Sequence, residues 1–141
     1  MAQFLRLMSA QLMSSTARSL KNENMSLAEL ATIYLLDRDG ELRINALAAA
    51  LSLSMPAASR VAAALVDRGL VSRREDKEDR RARVVALTKR GRNLVDALSV
   101  SLVAEVGATL ATANTPVSNR LGMLFGTMVA EGLTAAPGKK E

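Results

Sequence analysis

Apolar residues near both ends of the chain recur at the spacing of an α-helix. In the first stretch the steps are four and three residues: Met1, Leu5, Met8 and Leu12. This period predicts an amphipathic helix that continues to about Leu20. Beyond Thr88, which suits a helix N-cap, the apolar residues follow one another at steps of four: Leu94, Leu98, Leu102, Val106 and Leu110. A last helix is predicted from Thr115-Pro116, with apolar positions at Val117, Leu121, Leu124 and Met128.

Between these ends, capping and turn residues mark shorter elements. Ser26 and Glu29 form an S-x-x-E capping box, which predicts a helix over Leu27 to Asp37. Asp39-Gly40 then predicts a turn, and Glu41 to Ile44 a very short strand.

A helix–turn–helix pattern follows this strand. Asn45 suits the cap of a short helix over Ala46 to Leu51, and Ser54 the cap of a fourth helix whose first turn tolerates Pro56. Gly69 fits the position just past the end of the fourth helix. Apolar residues at helical spacing predict its buried face: Ala58, Val61, Ala62 and Leu65.

A charged β-hairpin is predicted next. Its strands, Val71 to Arg74 and Arg83 to Leu87, flank a loop of alternating sign that contains Asp76, Lys77, Glu78, Asp79, Arg80 and Arg81. Of the 19 basic residues in the chain, nine lie between Arg73 and Arg92, against four acids. A charge run alone is typical of a solvated hairpin, but its place directly after the helix–turn–helix indicates a winged helix.

Composition agrees with one compact, mainly helical domain. Of 141 residues, 49% are apolar and 23% charged, with one Tyr, two Phe and no Trp. This length can bury a core of its own. The net charge of +5 attracts polyanions such as DNA, RNA or an anionic membrane surface.

The sequence contains neither Cys nor His. Disulfides, thiolate chemistry and the usual transition-metal ligands are therefore absent, and we expect no metal and no cofactor. The opening MAQFLRLMSAQLMSS lacks the pattern of a signal peptide, and no run of about 18 apolar residues occurs. We expect a soluble cytoplasmic protein.

Two linked motifs resemble the MarR family of winged-helix transcription regulators. The first, LAAALSLSMPAASRVAAALVDRGLVSR (Leu47 to Arg73), is similar to the family's helix–turn–helix and the turn into its wing. The second, EDKEDRRARVVALTKRG (Glu75 to Gly91), contains a D-x-R wing signature at Asp79-Arg80-Arg81 and then the pattern Leu87-Thr88-x-x-Gly91. The resemblance covers roughly Leu27 to Leu98, and two motifs in the correct order are far more specific than either alone.

The resemblance implies a mainly α fold with a small β-hairpin wing, a winged helix–turn–helix with dimerisation helices at both ends. Residues 1–141 would be a single domain, with a DNA-binding lobe at 27–88 and a dimerisation region at 1–20 and 89–136. Family dimerisation through the first and last helices maps onto Phe4 to Leu20 and Val117 to Leu133; the alternative is that these helices close the core of a monomer. The implied function is a homodimeric regulator of transcription, a repressor by family default, that binds a palindromic operator in double-stranded DNA.

The recognition helix supplies the candidate base readers. An α-helix fits the major groove and its N-terminal residues reach base edges, which selects Ser54, Met55, Pro56, Ala57, Ser59 and Arg60. Arg60 is the strongest of them, because a guanidinium can pair bidentately with guanine, although a phosphate contact is nearly as favoured. Surface or turn packing is an equal alternative for Met55 and Ala57.

The wing supplies the remaining candidates. By resemblance, Arg81 enters the minor groove and Asp79 orients the wing by pairing with an arginine, while Arg80 shares the groove or contacts phosphate. A narrow A·T-rich minor groove concentrates negative potential, which favours an inserted arginine. Phosphate contact or plain solvated charge is expected for Arg73, Arg74, Lys77 and Arg83.

Many relatives release DNA when a small molecule binds between the dimerisation helices and the DNA-binding lobe. Met8, Met13 and Ile33 are the candidate lining of such a cleft, although helical Met more often fills gaps in a core. The absence of Cys excludes thiol-based peroxide sensing, and a pH switch lacks its usual His.

Two other classes of function compete with this interpretation. An enzymatic metal site at Glu75, Asp76, Glu78 and Asp79 is disfavoured because interleaved basic residues would neutralise the carboxylates, so we expect no enzyme. A winged helix that binds protein or RNA is the alternative. Single-strand binders use aromatic platforms that this chain lacks, whereas a protein-interaction module, an antirepressor or co-regulator, stays open.

Overall fold

Helices and one small sheet make up the part of the chain that the computed structural model describes, residues 2–112, 119–124 and 126–127. The helices are α1 (Ala2–Glu23), α2 (Leu27–Asp39), α3 (Ile44–Ala50), α4 (Met55–Asp67) and α5 (Lys89–Thr112). The strands are β1 (Glu41–Arg43), β2 (Val71–Glu75) and β3 (Arg83–Leu87). Residues 119–124 and 126–127 are also helical. The predicted fold class, mainly α with a β-hairpin wing, is confirmed.

The chain divides into two compact units. Residues 18–98 form one, called here the central unit, and residues 1–17 with 99–141 form the other, the terminal unit. The lobe predicted at residues 27–88 falls within the central unit. The predicted dimerisation region at 89–136 extends past the described residues.

Three predicted helix ends are confirmed. Ser26 Oγ accepts from the Glu29 N–H at 3.2 Å, and Glu29 Oε2 accepts from the Ser26 N–H at 2.6 Å, which completes the capping box of α2. Ser54 Oγ accepts from the Ala57 N–H at 3.3 Å at the start of α4. Gly69 follows α4 with φ of +68°, a conformation that favours glycine.

The predicted cap at Asn45 is wrong. α3 begins at Ile44, its N-cap is Arg43, and no side chain caps it. Asn45 lies in the first turn, where its Oδ1 accepts from the Ala46 N–H at 2.9 Å. The helix begins early because Ile44, only 5% exposed, packs into the core directly after β1.

The helices α3 and α4 form the predicted helix–turn–helix. Their axes turn by 108° across residues 51–54, which falls in the range of about 90–120° for such motifs. Ala58 and Ala62 of α4 are fully buried, so the helix packs closely against its neighbours. Ala57 and Arg60 lie on its more accessible faces.

The wing is the antiparallel hairpin of β2 and β3, which extends a three-stranded sheet of order β1-β3-β2. Val71 pairs with Leu87 at the base of the hairpin and Glu75 with Arg83 near its tip. β1 joins the other edge of β3, where Arg43 is opposite Val84. Residues 76–82 form the wing tip, which projects beyond the sheet pairing.

The core of the central unit lies between its helices and one face of the sheet. Its largest fully buried aliphatic side chains come from α2, α3, α4, β3 and α5: Ile33, Leu36, Leu47, Leu65, Val85 and Val95. Full burial of one such aliphatic side chain contributes about 1.5–3 kcal/mol. The wing and the recognition helix are therefore attached to one packed core.

The terminal unit leaves many apolar side chains in solvent. Among its described residues, Ser15, Val106 and Leu110 are buried, whereas six large apolar side chains are exposed: Leu7, Leu12, Met13, Val100, Met123 and Leu124. The segment Lys89–Leu110 is long and apolar enough, by length and composition alone, to cross a membrane, and only 17% of its apolar window is buried. The predicted helix start at Thr115-Pro116, and Val117 and Met128, lie outside the described residues.

Candidate nucleic-acid interface

The start of α4 carries both exposed and half-buried side chains. Met55 is 52% exposed, Pro56 and Arg60 are exposed, and Ala57 and Ser59 are half-buried. The hydroxyl of Ser54 is engaged in capping α4, so its first role is to begin the helix. Arg60 pairs with no carboxylate within the described part of the chain, which leaves its donors available to a ligand.

A cavity of about 300 Å³ lies between this helix and the wing. Its lining comes from the end of β1, the start of α3, α4 and the wing: Arg43, Ile44, Asn45, Met55, Ser59, Arg73, Asp79, Arg81, Ala82 and Arg83. Four arginines against one aspartate make it basic. Six predicted site residues meet here, Met55, Ser59, Arg73, Asp79, Arg81 and Arg83, whereas Ser54, Pro56, Ala57, Arg60 and Arg80 lie outside it.

Two of the four arginines are already paired. Arg43 Nε lies 2.6 Å from Asp76 Oδ2, and Arg83 Nη2 lies 3.2 Å from Glu75 Oε1. Arg73 and Arg81 pair with no carboxylate among the residues that the structure describes. They are the cations that this face offers to a polyanion.

Asp79 orients the wing differently from the expectation. Its Oδ1 accepts from the backbone N–H of Arg81 at 2.9 Å, and no arginine side chain pairs with it in the described structure. The carboxylate that pairs with an arginine is Asp76. Asp79 therefore fixes the backbone at Arg81, and the ion pair with an arginine that was expected of Asp79 is made by Asp76 instead.

The Arg43–Asp76 pair is the part of the site that the sequence did not reveal. Asp76, with a side chain only 11% exposed, also accepts from the N–H groups of Glu78 at 2.7 Å and Asp79 at 3.3 Å. The Arg43 guanidinium, with these N–H groups, lowers the pKa of Asp76 from its ordinary value of 3.8 to about 2. The same pairing raises the pKa of Arg43. An arginine and an acid 33 residues apart carry no local signal of contact.

Acid is expected to remove the contribution of Asp76 to stability. Because its folded pKa of about 2 lies below 3.8, that contribution is fully present above the ordinary value and is lost as the pH falls toward about 2. Urea denaturation of the wild type and of Asp76→Asn at a series of pH values checks this. The difference in unfolding free energy should shrink as the pH falls, and a constant difference would contradict the assignment.

Two further acids, Glu78 of the wing and Glu41 of β1, also contact arginines. Glu78 Oε2 lies 3.2 Å from Arg43 Nη2, and Arg74 Nη2 lies 2.5 Å from Glu41 Oε2. With Asp76 and Glu75 paired as well, three of the four carboxylates considered for a metal site already accept from a guanidinium. Exposed pairs of this kind contribute about 0–1 kcal/mol each, so they shape the wing more than they stabilise the fold.

The candidate effector residues differ in their surroundings. Met8 is half-buried and Met13 is 71% exposed on α1. Ile33 is fully buried in the core of the central unit, so it is a core residue first. The cleft predicted from these residues stays a prediction.

Comparison with known proteins gives one family and several solved structures of the same fold. Residues 25–82 match the family model described as the MarR family, and a search of curated proteins found no match. RV1404 from Mycobacterium tuberculosis is 26% identical with a TM-score of 0.70, over 92% of this chain and 87% of that one. The S. aureus MepR–DNA complex is 24% identical with a TM-score of 0.64, over 86% and 98%. NadR in complex with 4-hydroxyphenylacetate is 20% identical with a TM-score of 0.63, over 99% and 92%.

Proposed function

We propose that this chain is a sequence-specific regulator of transcription that binds double-stranded DNA, since its residues 25–82, which contain the helix–turn–helix and the first strand of the wing, match the MarR family model. The basic cavity between α4 and the wing carries this proposal, because it places Arg73 and Arg81 beside the first turn of a presented helix. A similar fold is seen on DNA in the S. aureus MepR complex. The wing and α4 would approach one duplex together.

The two parts of the face suit two grooves. The first turn of α4 would enter the major groove, where Met55 can contact a thymine methyl group and Arg60 a guanine edge. Arg81 at the wing tip would enter the adjacent minor groove, with Arg80 near it, and Arg73 and Arg83 would contact phosphates. Ser54, Pro56, Ala57 and Ser59 complete the proposed surface of the recognition helix, and Asp79 acts by shaping the backbone at Arg81.

We further propose that the protein is a homodimer. Six large apolar side chains are exposed among the described residues of the terminal unit, including Met13, Val100 and Met123, and pairing two copies would bury such surface. A two-fold dimer presents two recognition helices to half-sites roughly 10 bp apart, so its operator would be an imperfect palindrome. A cytoplasmic repressor is the regulator we propose.

A small-molecule effector is part of the same proposal. NadR, whose fold is similar, was crystallised with 4-hydroxyphenylacetate. We retain Met8 and Met13 as candidate lining of an effector cleft, since Ile33 is enclosed in the core of the central unit. Binding of the effector would release the operator.

Binding of a duplex and of its single strands at near-physiological salt tests the class of function. A DNA-binding winged helix without aromatic platforms should prefer the duplex strongly, and its duplex affinity should fall linearly with salt on logarithmic axes. No duplex binding, with capture of a defined protein partner retained, would favour the protein-interaction module.

Arg60→Ala is expected to weaken binding of a preferred duplex by about 1–3 kcal/mol and to relax base preference at one position. The reason is the loss of a bidentate contact from the exposed face of α4. Competition with duplexes that carry single base changes measures the preference. A loss of equal size on every sequence would make Arg60 a phosphate contact instead of a base reader.

A further inference from the structure

We propose that Arg43 and Asp76 are positioning residues that hold the wing arginine, Arg81, in register with the recognition helix. The inference rests on the proposed function, since it names the residues that set the geometry of the same DNA-binding face. Neither residue is expected to contact a base. Their role is to keep the wing tip in one position relative to α4.

The wing tip has few backbone bonds of its own. Asp76 N–H donates to the Ala82 carbonyl at 3.1 Å, and Ala82 N–H donates to the Asp79 carbonyl at 2.9 Å. The side chain of Asp76 supplies the rest, because it accepts from the N–H groups of Glu78 and Asp79 as well as from Arg43. The carboxylate of Asp76 therefore accepts most of the hydrogen bonds that hold the first half of the tip.

From Asp76 the contacts continue to Arg81. The N–H of Asp79 donates to Asp76 Oδ1, and Asp79 Oδ1 in turn accepts from the Arg81 N–H at 2.9 Å. The contact to the Arg81 N–H has an ordinary hydrogen-bond length, whereas the contact from the Asp79 N–H, at 3.3 Å, is long. The position of the Arg81 backbone is thus linked through two side chains to the guanidinium of Arg43.

Arg43 connects this network to the helix–turn–helix. It is the last residue of β1 and the N-cap of α3, and α3 packs against α4. Its side chain lines both the cavity that contains Met55 and Arg81 and a second cavity of about 290 Å³ on the wing, beside Asp76 and Lys77. A change at this junction would move the wing relative to the first turn of α4.

The sign of the charge change separates positioning from simple electrostatics. Asp76→Asn removes a negative charge near the DNA-binding face, so electrostatics alone would strengthen binding of a polyanion. Positioning requires the opposite, because the neutral amide loses the charge-assisted bond with Arg43. Glu78→Gln is the matched control, because it removes the same charge from the tip: the Glu78 side chain also lies 3.2 Å from Arg43, but it is 87% exposed, and the tip N–H groups donate to Asp76 instead.

We expect Asp76→Asn to weaken binding of a preferred duplex by about five- to thirtyfold, part of what loss of Arg81 itself would cost. Glu78→Gln should leave affinity unchanged or raise it. In an Arg81→Ala background, Asp76→Asn should produce no further loss, because two residues that act through one contact are not additive. Tighter binding by Asp76→Asn, or an undiminished loss in the Arg81→Ala background, would overturn the proposal.

Hydrogen exchange in the DNA-free protein tests the positioning role of Asp76 without any measurement of DNA binding. Asp76→Asn should raise the exchange rates of the Glu78, Asp79 and Arg81 amides by about tenfold while leaving the amides of β3 unchanged. Unchanged rates at the tip would overturn the positioning role. If the wild type fails to bind duplex DNA, the proposed function is wrong, and the exchange measurement alone then decides the role of Asp76.

Discussion

Gly91→Ala is expected to destabilise the protein by about 2–4 kcal/mol, the largest stability effect of any substitution considered. A Cβ at this position would overlap the Leu70 carbonyl oxygen and would lie 3.0 Å from Leu87 Cδ2. The Leu70 backbone cannot easily withdraw, because its carbonyl accepts from the Thr88 N–H and its own N–H donates to the Leu65 carbonyl, both at 3.0 Å. Thr88 also donates its hydroxyl to the Gly69 carbonyl at 2.7 Å.

Gly107→Ala is the matched control for this substitution. Gly107 lies within α5 and an added Cβ would meet nothing within 4 Å, so alanine should stabilise the helix by about 0.5–1 kcal/mol. Urea denaturation gives both free energies from the shifts in midpoint. Equal stability of Gly91→Ala and the wild type would contradict the close approach of α5 to Leu70, between α4 and β2, that the structure shows.

Arg81→Ala is expected to produce the largest loss of DNA affinity, about 1–3 kcal/mol, and to reduce the salt slope by about one. The guanidinium has no carboxylate partner in the described part of the chain, and it lines the basic cavity with Met55 and Ser59. Its loss should therefore leave the fold intact. Titration of a preferred duplex at several salt concentrations measures both quantities, with circular dichroism and sedimentation to check helicity and assembly.

Lys77→Ala removes the same charge from the same tip and serves as the control. Lys77 lines the second cavity, with Glu41 and Arg74, and not the one beside α4. We expect its loss to cost little affinity, as for a distant charge in salt. Equal losses for the two variants would mean that the wing acts through its total charge, which would contradict a minor-groove role for Arg81.

Local signals were sufficient to predict most of the fold. The capping box at Ser26 and Glu29, the cap at Ser54, and the left-handed Gly69 each depend on residues within a few positions of one another. The strand boundaries of the wing agreed within one residue for the same reason, since alternating apolar residues in β3 face the core. These caps and turns can be predicted from short stretches of sequence because their hydrogen bonds join residues only a few positions apart.

Features that depend on tertiary contact were not predicted. Asn45 had the chemistry of a cap, but burial of Ile44 moved the helix start. Nothing local in the sequence pairs Asp76 or Glu78 with Arg43, because only the pairing of β1 with β3 brings Arg43 near them. Ile33 is a candidate lining residue of the effector cleft by sequence, but it lies in the core of the central unit. In each case the outcome depends on which distant residue packs nearby.

Selection from a random library of duplex DNA with the purified protein, at near-physiological salt to suppress nonspecific binding, tests the central proposal most directly. We expect enrichment of an imperfect palindrome whose half-site centres are about one helical turn apart, as two recognition helices related by a two-fold axis require. Failure to enrich any sequence, by a protein that is folded and dimeric, would contradict the proposal that this chain is a sequence-specific DNA-binding regulator.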